Sequence, residues 1–132
     1  MVESNKEILP ILFGDERRLQ QVLLNLLRNA LKFTVQGQIK INAHYDYLSH
    51  RLNVSVTDTG TGIDESDLPV LFSKFGKLQR TASINDTGIG LGLTIVKQIV
   101  EKCDGKVSAS SPGIGKGSTF YFNMVIEQAD EN

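Results

Sequence analysis

The stretch Asp86–Val100, DTGIGLGLTIVKQIV, places Gly88, Gly90 and Gly92 on alternate positions directly before apolar residues that repeat at helical spacing. Glycine is the costliest ordinary residue to order, so this cluster lowers local stability unless the backbone needs its freedom. Free N–H groups at a helix start bind phosphate, and glycines let such a backbone wrap the charge closely. The stretch reads as the start of a helix whose glycines form either a simple turn or a cradle for a phosphate. It is not a dinucleotide fingerprint, because it follows no strand and Leu93 breaks the Gly-x-Gly-x-x-Gly spacing. Nor is there a Walker-type phosphate loop, since Gly115 and Lys116 are followed by Gly117 where that motif needs a hydroxyl residue.

Working outward, Leu93, Val96, Ile99, Val100 and Cys103 predict a helix closed by Asp104 and Gly105, with a short strand, KVSAS, beyond it. Upstream, GDERRLQQVLLNLLRNALKFT predicts a longer helix with Asp15 as N-cap and Leu19, Val22, Leu23, Leu26, Leu27 and Ala30 at helical spacing. After Gly37, Ile39, Ile41 and Ala43 alternate inward, and so do Leu52, Val54 and Val56, which predicts a β-hairpin. The last strand, STFYFNMVI, alternates Phe120, Phe122, Met124 and Ile126 against Thr119, Tyr121 and Asn123, and EQADEN reads as a frayed tail. Between Thr59 and Ile89 the chain is polar and punctuated by glycine, with one apolar island, LPVLFSKF, and predicts a mobile lid from about Asp64 to Gly90. The fold class is an α/β sandwich: a mixed sheet covered by helices on one face.

With 132 residues, of which 40% are hydrophobic, the chain fits one domain spanning 1–132 with a real core. A net charge of -1 offers no broad attraction to nucleic acid or to an anionic membrane. The single cysteine, Cys103, forms no internal disulfide and reads as a small buried hydrophobe. No segment has the length of a signal peptide or membrane span, and the domain is expected to be cytoplasmic.

On the first helix Asn25, Asn29 and Lys32 stack at spacings of four and three, on a polar line expected opposite the apolar face, with Arg28 and Gln21 on the same flank. Amide oxygens suit a hard cation and an ammonium suits phosphate. An ordinary solvated helix face shows the same pattern, so its meaning depends on its company. That company is DTGTG, where Asp58 shares parity with Leu52, Val54 and Val56 and therefore points its carboxylate toward the apolar side. A carboxylate there needs a donor, which an adenine amino group or the turn itself could supply, and Gly60 and Gly62 would let a flat ring approach.

Taken in order, Asn-x-x-x-Asn-x-x-Lys, Asp-x-Gly-x-Gly, Phe-x-x-Phe, Gly-x-Gly-Leu-Gly-Leu and Gly-x-Gly-Ser-Thr-Phe resemble the catalytic ATP-binding domain of sensor histidine kinases, over nearly the whole chain. The resemblance implies the Bergerat two-layer α/β sandwich with a mobile ATP lid. It implies that Asn29 and Asn25 hold Mg2+, that Lys32 meets phosphate, that these three are the catalytic group, and that Asp58 accepts the adenine amino hydrogen. It also implies that Gly60, Gly62 and Ile63 shape the adenine pocket, that Phe72 and Phe75 anchor the lid, and that Gly88, Gly90, Leu91, Gly92 and Leu93 flank the nucleotide. Thr119 is expected near adenine.

In ATPase relatives a glutamate acts as general base four positions before the Mg-binding asparagine. Asn25 stands at that position here, and an amide cannot take the proton. The substitution favours phosphoryl transfer over hydrolysis. The expected partners are a histidine-bearing dimerisation domain of the parent kinase, upstream of this chain, and a receiver domain downstream. The isolated domain is expected to be a monomer and the parent, soluble or membrane-anchored, a homodimer. His44 and His50 lack the family's acceptor setting and read as surface residues. Two rival readings are an anti-sigma-type serine kinase and a degenerate nucleotide-binding module of the same fold. The family also has a strand before the first helix, for which only VESNKEILPILF is available.

Overall fold

The computed structural model describes residues 2–4, 12–13, 16–73 and 89–128, with the backbone alone at 2–3, 12–13, 89–91 and 128. Helix α1 spans Glu16–Phe33, and its buried residues Val22, Leu26, Asn29, Ala30 and Phe33 recur at three and four positions, as a single buried stripe requires. Helix α2 spans Ile89–Lys102 and buries Leu93, Val96 and Val100. The two helices pack on each other and over the central strands.

Strands β1 (Val2–Ser4), β3 (Ile39–Asp46), β4 (Arg51–Asp58), β5 (Val107–Ser110) and β6 (Ser118–Val125) form a sheet in the order β1-β3-β4-β6-β5. All neighbours are antiparallel except β1 and β3, so the sheet is mixed, as expected. Strands β2 (Leu12–Phe13) and β7 (Glu127–Gln128) pair antiparallel in a small second sheet. The expected frayed tail is therefore ordered at its first two residues, where backbone pairing with a distant segment supplies the hydrogen bonds. The strand expected before α1 is represented by two short pieces, β1 and β2.

β4 and β6 alternate strictly between buried and half-buried residues. Leu52, Val54 and Val56 pair in register with Met124, Phe122 and Phe120, and these six residues form the floor beneath the helices. β3 follows the pattern less fully: Ile39 and Tyr45 are buried, whereas Ile41 and Ala43 are only half-buried. The hairpin tip is held by Asp46, whose carboxylate accepts the Leu48 N–H at 3.0 Å. Its pKa lies below the ordinary carboxylate value because the Ser49 side chain and then the Leu48 N–H hydrogen-bond its charged form. His44 and His50 are exposed, as expected, and Cys103 is half-buried.

Tyr45 ties this hairpin to the end of β6. Its ring is 3% exposed, and its hydroxyl donates to the Ile126 carbonyl at 2.7 Å. Tyr45→Phe is expected to lower stability by about 1 kcal/mol, the net worth of such a bond, in urea denaturation with an unchanged m-value.

Candidate functional site

Three loops and one helix end converge at the edge of the sandwich where β4 stops. The C-terminus of α1 leaves backbone carbonyls unpaired, and the Phe33 carbonyl is satisfied by the Thr61 N–H at 3.0 Å. The connection after α1 is tied to the same loop, because Thr59 N–H donates to Gln38 O at 3.1 Å and Gln38 N–H donates to Thr59 Oγ1 at 2.9 Å. These bonds bring Asn29, one turn before Phe33, to the end of the sheet that carries Asp58.

Asp58 is 4% exposed, at the parity its strand predicts. Its Oδ1 accepts the Gly60 N–H at 2.9 Å and its Oδ2 accepts the Ser118 hydroxyl at 2.8 Å. Both the turn and a cross-strand neighbour therefore supply the donors that a buried carboxylate needs. Two of its roughly four acceptor directions are used, and the others are available to a ligand. Ser118 lies directly opposite Asp58 in the β4–β6 register.

Thr119 is placed differently from its expectation. It pairs with Thr57 on the opposite sheet face, with the two hydroxyl oxygens 3.1 Å apart, and the structure does not bring it to Asp58. The strand's own alternation holds the signal: if Phe120, Phe122 and Met124 point inward, so does Ser118, and Thr119 cannot.

The loop 59–63 lies against the loop 111–117. Gly115 N–H donates to Thr61 O at 2.6 Å, and Gly117 N–H donates to Gly60 O at 3.1 Å. A side chain at Gly62 would collide with the Gly113 carbonyl, and one at Gly117 with the Asp58 carbonyl. Both glycines also have φ in the left-handed region, at 73° and 75°, so closeness and conformation exclude other residues together. Ile63 follows directly and is fully buried in the core.

On α1, Asn29 is 8% exposed and belongs to the core-facing stripe rather than to a line opposite it. Asn25 and Lys32 are half-buried on its flank, while Arg28 and Gln21 are exposed. The helix therefore turns one amide inward beside apolar residues. Its Oδ1 is buried without a hydrogen-bond partner among the described residues, and so is Thr34 Oγ1. Such orphans are rare, and a buried amide oxygen with an unused acceptor is a fitting ligand for a hard cation.

Phe72 stacks edge-on against Phe120 with ring centroids 6.1 Å apart, next to fully buried Leu71. The short 3-10 helix Glu65–Val70 and these two residues anchor the chain where the expected lid begins, and Thr94 Oγ1 donates to Ser73 O at 3.4 Å from α2. The body of the lid, including Phe75 and Gly88, lies outside the described residues. α2 begins at Ile89, so Gly90 and Gly92 fall in its first turn rather than ahead of it. At Leu91 only the backbone is described, and Leu93 is buried in the core. Among the described residues a Cβ added at Gly92 would meet nothing within 4 Å, so their packing does not require this glycine.

Ser118 was absent from the residues predicted for the site, and so was Ser111, whose hydroxyl accepts the Ile63 N–H at 3.0 Å and donates to the Gly117 carbonyl at 2.6 Å.

Residues 14–128 match the family described as histidine kinase-, DNA gyrase B- and HSP90-like ATPase. The chain is 39% identical over 123 residues to the autoinducer 2 sensor kinase/phosphatase LuxQ of Vibrio vulnificus (strain YJ016), covering 90% of this chain and 14% of that protein. It is 39% identical over 118 residues to the adaptive-response sensory kinase SasA of Synechococcus elongatus, covering 89% of this chain and 30% of that protein. It thus spans less than a third of either relative. Among solved structures, full-length ShkA in complex with AMPPNP superposes with a TM-score of 0.80 at 32% identity, covering 97% of this chain and 26% of that one. The nucleotide-free catalytic domain of the histidine kinase ThkA superposes with a TM-score of 0.71 at 31% identity, covering 94% of this chain and 75% of that one.

A glycine in a helix turn that packing does not require costs about 0.5–1 kcal/mol relative to alanine. Gly92→Ala is therefore expected to stabilise the ligand-free domain by about that much in urea denaturation. If Gly92 is there for close approach of a phosphate, the same variant binds Mg-ADP more weakly by calorimetry.

Proposed function

The chain belongs to the histidine kinase-, DNA gyrase B- and HSP90-like ATPase family, and from that premise we propose that it is the catalytic domain of a sensor histidine kinase. It binds Mg-ATP and transfers the γ-phosphate to a histidine on a separate dimerisation domain, from which a receiver domain takes it. The observation that carries this reading is a pair of opposites at one end of the sandwich: a buried carboxylate with its donors in place and a buried amide oxygen with none among the described residues.

Asp58, fixed by Gly60 and Ser118, accepts the adenine amino hydrogen through its remaining lone pairs. Ser118, on the same inward face, takes the place near the base that was expected of Thr119. Lys32 contributes an ammonium toward phosphate, and its position in the last turn of α1 also suits the negative end of the helix dipole. Asn29 and Asn25 would hold Mg2+, which when bound neutralises charge on the phosphate oxygens. The backbone N–H groups of the first turn of α2 face the phosphates.

Asn25 decides between transfer and hydrolysis. An amide neither accepts nor carries away the proton of an attacking water, so the site lacks the base that an ATPase places there. Phosphoryl transfer asks mainly for positioning and charge neutralisation, which these residues provide, while the acceptor domain brings the nucleophile. The parent kinase is a homodimer in this reading, and among the described residues no helix is long and apolar enough to cross a membrane.

The test is calorimetric titration of Mg-ADP into the domain and into Asp58→Asn, followed by phosphotransfer from ATP to the parent's dimerisation domain added in trans. Binding that the variant loses, with phosphate appearing on histidine, supports the proposal. An Asp58→Asn variant that binds as well as wild type removes the adenine assignment, and phosphate that goes only to water or serine removes the histidine kinase reading.

Asn29 separates function from stability. Its oxygen has no partner among the described residues, and a buried amide oxygen left so costs about 1–3 kcal/mol in the ligand-free domain. Asn29→Ala is expected to leave thermal stability equal or higher and to abolish the Mg2+-dependent part of nucleotide binding, measured by calorimetry with and without chelator.

A further inference from the structure

Ser111 closes the short turn after β5 and belongs to none of the motifs that identify the family. Its hydroxyl nevertheless uses its full bonding capacity. It donates its one proton to the Gly117 carbonyl at 2.6 Å, and it accepts the N–H groups of Ile63 at 3.0 Å and Gly113 at 3.2 Å. The alternative acceptor, the Gly113 carbonyl, is more distant at 3.2 Å.

These partners lie on the two chain segments that hold Asp58. Gly117 O and the Ser118 N–H belong to one peptide plane, and Ser118 donates to Asp58 Oδ2. Ile63 ends the loop whose Gly60 N–H donates to Asp58 Oδ1. Beside the Gly115–Thr61 and Gly117–Gly60 backbone bonds, this one hydroxyl therefore links the two segments that carry the donors of the carboxylate.

We propose that Ser111 is a positioning residue for recognition of the purine 6-amino group: it holds the Gly60 and Ser118 donors so that the free lone pairs of Asp58 meet that group. The inference builds on the reading of Asp58 as the acceptor of the adenine amino hydrogen. Removal of the hydroxyl takes a partner from the Ile63 N–H, the Gly113 N–H and the Gly117 carbonyl, the two loops shift, and the carboxylate loses its aim before the domain loses its fold.

The test compares ADP with purine riboside 5′-diphosphate, which is ADP without the 6-amino group, by Mg2+-containing calorimetry on the 132-residue chain. Wild type is expected to prefer ADP. In Ser111→Ala the ADP affinity falls about 3- to 10-fold, the loss of one hydrogen bond's worth of alignment, while the analogue's affinity stays near wild type. Ser111→Thr keeps the hydroxyl and restores the preference. Ser111→Cys, close in size with a weak donor, gives an intermediate ratio and serves if the alanine variant does not fold. If the affinities for both nucleotides fall in parallel, Ser111 is merely structural and the proposal is overturned. An unchanged ratio in all variants overturns it too. The underlying reading fails separately, and takes the inference with it, if wild type does not prefer ADP or if Asp58→Asn keeps that preference.

Discussion

A carboxylate at the buried end of a central strand is the constraint on which the rest of this site depends. Burying Asp58 unpaired would cost several kcal/mol or force its protonation. The chain meets the requirement with one donor two residues ahead on the same loop and another directly across the sheet. Bringing both within reach presses the segments 59–63 and 111–117 together until backbone touches backbone, which is why Gly62 and Gly117 carry no side chain. The close loops then present a small, rigid, polar corner on top of an apolar core.

The same end of the molecule treats two other polar side chains in the opposite way. Nothing among the described residues satisfies Asn29 Oδ1 or Thr34 Oγ1, although both are buried. A fold that supplies two donors to one carboxylate and none to a nearby amide has divided its polar groups into those set before binding and those left for a ligand. That division suits phosphoryl transfer, in which pre-aligned charges contribute more than any covalent work by the protein. It also explains why the site combines strong core anchors, Ile63, Leu71 and Phe120, with glycines in the first turn of α2. In the proposed reading the firmly packed residues would lie under the base and the glycine-bearing turn beside the phosphates.

Much of this was legible in the order of the residues. Helical spacing identifies both helices, alternation identifies the hairpin and β6, and parity alone turns Asp58 inward, because each of these signals is local and repeats several times. The β2–β7 pair was not legible, since strands of two residues have no period to detect and form only when distant segments meet. The start of α2 was misread for a similar reason: glycines disfavour helix on average, but Gly90 and Gly92 are carried into the first turn by a helix whose buried stripe of Leu93, Val96 and Val100 lies just beyond.

The sequence by itself determined the kinds of element, the direction in which Asp58 points and the chemical groups available, because these depend on residue type and on spacing along a single segment. Only the tertiary structure decided that Asn29 sits on the buried stripe, that Ser118 comes directly opposite Asp58 and meets its carboxylate, and that Ser111 links the two loops. Those choices depend on strand register and loop contact between residues distant in the chain, 60 positions apart in the Asp58–Ser118 bond and 62 in the Thr57–Thr119 pair. Local periodicity carries no record of such separations, since it is the burial of a shared core that sets them.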